Sequence, residues 1–133
     1  MRGFHDNIEK ATMNNGDFRR VLYTGNHSQL VLMSLNPGEE IGLEVHPDTD
    51  QFFRFESGTG KVFIDGNEYD VRGGDAVVVP AGAEHNVINK SDSESLRLYT
   101  IYSPAHHKDG TVHKTKEDAI ADTENFDGIT TES

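Results

Sequence analysis

Glu44, His46, Gln51 and His85 are the residues of this chain whose types and spacing could do chemistry. Imidazole nitrogen, carboxylate oxygen and amide oxygen are donors acceptable to divalent Fe, Mn, Co, Ni or Zn. A metal centre needs three or four such donors converging from rigid elements, with neighbours that fix their orientation. The sequence has no cysteine. Disulfides, thiolate ligands and a cysteine nucleophile are therefore excluded, and any metal must be held by nitrogen and oxygen.

The elements that must position these donors read as short strands. From Ile41 the pattern alternates, so Ile41, Leu43 and Val45 face one way and Gly42, Glu44 and His46 the other. Pro47 to Asp50 is a turn, and Gln51-Phe52-Phe53-Arg54-Phe55 begins the next strand. If Gln51 faces inward with Glu44 and His46, Phe53 and Phe55 form the apolar wall of the same cavity, and Arg54 points away. The core strands are the near-continuous apolar runs Leu30–Leu35 and Ala76–Val79, with a long last strand over Leu96–Tyr102. Asp65-Gly66 is a hairpin signal, and Pro80-Ala81-Gly82 is a tight corner leading into His85. About eight to ten strands with frequent turns predict an antiparallel sandwich or barrel.

The spacing across both halves resembles the cupin superfamily. One half runs Gly38, five residues, Glu44-Val45-His46, four residues, Gln51, six residues, Gly58. The other runs Gly74, five residues, Pro80-Ala81-Gly82, two residues, His85, three residues, Asn89. The second half matches the family pattern at every fixed position. The first keeps the spacing, with Glu44 where the family usually has its first His and Gln51 where it usually has Glu. The resemblance implies an all-β, single-domain cupin, a jelly-roll barrel or double-stranded β-helix. It also implies a divalent metal (Zn, Mn, Fe or Ni) held by Glu44, His46, Gln51 and His85, and a homodimer paired through its sheets. Two His, one Glu and one Gln also resemble the ligands of zinc-dependent mannose-6-phosphate isomerases, with Glu and Gln exchanged. Such an enzyme must grip a phosphate, and no Lys or Arg is predicted on the pocket face.

The flanks divide the chain into an N-terminal arm over 1–16, a barrel over 17–104, and a C-terminal loop, short helix and acidic tail over 105–133. The arm could be helix or strand. Thr115 with Asp118 is a capping pair for a helix through Ala121, and the acidic residues after it predict a mobile terminus. His106, His107 and His113 are expected to be solvent-exposed, with a pocket-mouth acid or base as their reserve role.

With 12 Lys+Arg against 23 Asp+Glu the net charge is −11, which disfavours nucleic acid and anionic membranes as partners. No signal-peptide pattern or membrane-length apolar run is present, so a cytoplasmic protein with a small-molecule ligand is expected. Three functions fit these residues: a metal-dependent enzyme of oxygenase or isomerase type, a non-enzymatic metal or metabolite binder, and a structural dimeric barrel with a vestigial site. No catalytic acid or base is identifiable from sequence.

Overall fold

The computed structural model describes residues 1–133. A short helix, α1 (Ile8–Asn14), precedes ten strands: β1 (Arg19–Thr24), β2 (Gln29–Leu35), β3 (Glu44–Val45), β4 (Asp50–Ser57), β5 (Thr59–Ile64), β6 (Asn67–Arg72), β7 (Ala76–Val79), β8 (Glu84–Asn89), β9 (Leu96–Ser103) and β10 (Val112–His113). A second helix, α2 (Lys116–Ala121), follows. All pairings are antiparallel. One sheet has the order β10-β1-β2-β9-β4-β7 and the other β3-β8-β5-β6. The two sheets close over a core in which Met33, Leu35, Phe53, Phe55, Val62, Val87 and Leu98 are fully buried.

The alternation expected in β4 holds: Gln51, Phe53 and Phe55 are buried, while Phe52 and Arg54 are partly exposed. The Asp65-Gly66 hairpin takes positive φ at both residues, 46° and 83°, which the twist of the flanking strands favours. Gly58 has φ +92, and a Cβ there would stand 2.5 Å from the Ser95 carbonyl oxygen. Only glycine lets β4 pass into β5 against that backbone. Asn89 is a strand-end clasp, its amide donating to the carbonyls of Leu35, Asn36 and Glu94.

Three local features depart from the sequence expectations or resolve them. The strand expected from Ile41 is reduced to two residues, because Gly42 takes φ +112 and its N–H donates to the Asn86 side chain. The arm is helical, capped by Asn7 and pinned by Arg97, which donates to the Met13 carbonyl. The acidic terminus, expected to be mobile, is hydrogen-bonded back to the barrel: Thr131 N–H donates to the Thr24 carbonyl, Tyr23 donates to Glu132, and Glu132 accepts from Arg2 N–H. α2 carries the predicted capping box between Thr115 and Asp118.

Candidate metal centre

Glu44 lies on β3 directly opposite His85 on β8, and His46 follows β3 by one residue. The Pro80–Gly82 corner holds His46 in place, Gly82 N–H donating to the His46 carbonyl at 2.8 Å. His46, His85 and Gln51 are all buried, at 6%, 3% and 3% exposure, so the three sit inside the barrel and not on its rim. The His46 and His85 rings are 5.3 Å apart, and Phe53 edges His85 at 6.3 Å. The aromatic wall expected beside Gln51 is present.

The convergence of imidazole and carboxylate donors involves a residue that the sequence did not nominate as a ligand. Potential ligand atoms of Glu44, His46 and His106 lie within 4.8 Å of one another. The His106 ring is 4.3 Å from that of His46, centroid to centroid. His85 stands beside this trio but its ring nitrogens fall outside it. His85 Nδ1 is 3.1 Å from the Ala83 carbonyl, which fixes the proton there and leaves Nε2 as the basic nitrogen. Gln51 donates its amide N–H to Thr100 and keeps its buried Oε1 without a partner.

His46 carries the most telling geometry. Its Nε2 lies 2.9 Å from Glu44 Oε2, close enough to lower the Glu44 pKa but out of line for a full hydrogen bond, and it has no other partner. A buried polar atom left unsatisfied costs about 1–3 kcal/mol. His46 Nε2 between a carboxylate and a further imidazole suits a divalent cation, and Gln51 Oε1 is a second buried acceptor without a partner.

Buried Gln29 explains how His106 arrives. It opens β2 and is fully withdrawn from solvent. Its Oε1 accepts from the backbone N–H groups of His106 and His107, at 3.2 and 3.0 Å, and its Nε2 donates to the His107 carbonyl at 2.7 Å. One side chain thus staples the 104–108 loop over the site. His107 and His113 are buried, at 5% and 4%, and His106 is half-buried, which corrects the expectation that these histidines face solvent. Glu124 from the C-terminal segment accepts from His107 Nδ1 at 3.0 Å. The proton on Nδ1 leaves Nε2 to accept from Tyr102, at 3.2 Å. His113 pairs with Asp122 at 2.9 Å.

Electrostatics follow from burial. Desolvation lowers the pKa of His106 to about 4, assisted by His107 and His46. The same cause lowers His85 and His107, with Glu124 opposing it at His107. For Glu44, burial acts upward but is outweighed by His46, Arg19 and His85, and its pKa is lowered. Glu124 is held down to about 2, again against burial, chiefly by its bond to His107. Burial raises the Tyr102 phenol. All three perturbed histidines are therefore neutral near pH 7, the state in which imidazole ligates metal.

A cavity of about 260 Å³ opens beside this centre, lined among others by Arg19, Glu44, His106, His107, Lys116 and Glu124. The sequence placed no cation on the pocket face; Arg19 and Lys116 correct that. Neither carries a spacing signal, since β1 and α2 lie outside the motifs.

Residues 31–102 match the family model of the cupin domain. The chain belongs to the cupin family. This cupin is 50% identical over 121 residues to the protein YrkC of Bacillus subtilis, covering 86% of this chain and 64% of YrkC. It thus spans just under two thirds of that relative's length. The crystal structure of BH2720 from Bacillus halodurans superposes with a TM-score of 0.88 at 46% identity, covering 91% of this chain and 96% of that one. The quercetin 2,3-dioxygenase of Bacillus subtilis is 31% identical over 84 residues, which are 63% of this chain and 25% of that protein. The jelly-roll barrel expected from the motifs and the short C-terminal helix expected from Thr115 and Asp118 are both present in the observed fold. No helix is long and apolar enough to cross a membrane.

Proposed function

We propose that this cupin binds one divalent metal, Zn, Mn, Fe or Ni, through Glu44, His46 and His106, with His85 and Gln51 as neighbouring donors, and acts as an enzyme on a small molecule. The observation that carries the reading is the convergence of three donors around a buried His46 Nε2 whose one close contact, Glu44 Oε2, is out of line for a hydrogen bond. When bound, such a metal would polarise an oxygen of the substrate or activate water or dioxygen. The protein's own part is to hold the His85 and His106 imidazoles neutral and Glu44 ionised, to exclude bulk water with Phe53 and Tyr102, and to place His106 at the cavity. The partial likeness to quercetin 2,3-dioxygenase favours the oxygenase class over a sugar isomerase. A homodimer in the cytoplasm, without nucleic acid or membrane partners, completes the proposal.

The test is the metal content of untagged protein purified without chelator, measured by mass spectrometry alongside His46→Ala and the His46→Ala, His85→Ala double variant. About one metal per chain, lost in both variants with the β-rich circular dichroism spectrum retained, is expected. Metal content unchanged in the double variant would sink the assigned site. No metal in the wild type after reconstitution would leave a metal-free binding or structural barrel.

A further inference from the structure

Arg19 on β1 is 7% exposed, and no carboxylate forms an ion pair with it. Its Nη1 meets His113 Nδ1 at 3.2 Å, and its guanidinium carbon lies 5.3 Å from the centre of the Phe18 ring. The buried Nε has no partner. Burying an ion costs several kcal/mol unless a counter-charge and hydrogen bonds offset it. A structural arginine at this depth would ordinarily be paired in direct contact, whereas Glu44 and Glu124 feel the Arg19 charge without an ion pair. This one instead lines the 260 Å³ cavity shared with Glu44 and His106, where Lys116 of α2 supplies a second positive charge.

The geometry of the charges narrows the missing partner. A guanidinium presents paired N–H donors, which match the two oxygens of a carboxylate. The same cavity is lined by Glu44, Asp122 and Glu124, which would repel a ligand bearing a second negative charge at the anchored end. A single carboxylate satisfies both conditions better than a phosphate dianion. The cavity volume suits a molecule of a few carbons.

We propose that Arg19 is the anchor of a small organic monocarboxylate, bound in the cavity between β1 and α2 with its other end toward Glu44, His46 and His106. The far end rests on the metal-centre reading above; the anchored end does not. Lys116 assists from the solvent side, and α2 with Glu124 closes over the ligand.

The experiment is isothermal titration calorimetry with lactate, its neutral isostere lactamide, and inorganic phosphate. The proteins are wild type, Arg19→Gln and Arg19→Lys, each in metal-stripped and metal-loaded form. Lactate is expected to bind at least ten-fold more tightly than lactamide. That binding is expected to fall at least ten-fold in Arg19→Gln and to recover in part in Arg19→Lys, with metal content and circular dichroism unchanged. Equal binding of acid and amide, preference for phosphate, undiminished lactate binding in Arg19→Gln, or no lactate binding to wild type would each overturn the anchor. Should Arg19→Gln not fold, the contrast between acid and amide in the wild type decides. Metal bound without any lactate binding overturns the anchor alone. Arg19-dependent lactate binding to protein that takes up no metal overturns the metal reading alone.

Discussion

His106 separates two accounts of the centre, because it is the converging donor that lies beyond the matched region 31–102. If the metal sits where Glu44, His46 and His106 converge, His106→Ala removes one of its three ligating atoms. Metal affinity should then drop on the order of 10–100-fold, at least the loss that follows removal of a residue that merely orients a ligand. Competition with a fluorescent chelator measures this, and His85→Ala run beside it gives the comparison. An affinity unchanged in His106→Ala but lost in His85→Ala would return the third position to the residue the motif nominates. The inward placement of His46, Gln51 and His85 and the pairing of Glu44 with His85 were legible because strand alternation and fixed spacings tie these residues to one another. His106 was not, since it sits on a loop with no period, held by a hydrogen-bond partner 77 residues away.

At the level of elements, the loop after β9 depends on β2 through Gln29. Replacing Gln29 with Leu keeps the size and removes the hydrogen bonds to the His106 and His107 backbone and to Thr24. Buried groups left unpaired in this way should lower stability by about 2–3 kcal/mol, read as a shifted urea midpoint at unchanged slope. Metal affinity should fall with it, because His106 loses its support. A variant as stable as wild type would show that the loop is held by other contacts. The strands themselves were readable: alternation in β4, the apolar run of β2 and the Asp65-Gly66 turn appear where the pattern put them, whereas β7, expected in the core, is an edge strand in which only Val79 is buried. The flanks were less so. The tail is held by scattered polar bonds from Glu124, Thr131 and Glu132, and composition reports only that such residues prefer water.

For the whole molecule, the buried histidines set the direction of its pH response. His106, His85 and His107 have pKa values below the ordinary histidine value of 6.5 in the folded state, so the unfolded chain binds more protons on acidification. The stability they contribute is complete above about pH 6.5 and, for His106, is lost as pH falls toward about 4. Glu124, held down to about 2 from an ordinary 4.5, extends the loss of stability below pH 4.5 with the same sign. The net charge of −11 acts the other way, since protonation relieves repulsion among surface carboxylates. That relief depends on exposed groups and is screened by salt, whereas the histidine effect is local and buried. At 0.3 M salt the metal-stripped protein should therefore show a urea midpoint that falls steadily from pH 7 to pH 4. His106→Gln, which cannot take up a proton, should flatten the part of that fall between pH 6.5 and 4. A midpoint that rises on acidification at high salt would mean that these histidines are protonated in the folded state, and a neutral His106 ligand would have to be abandoned.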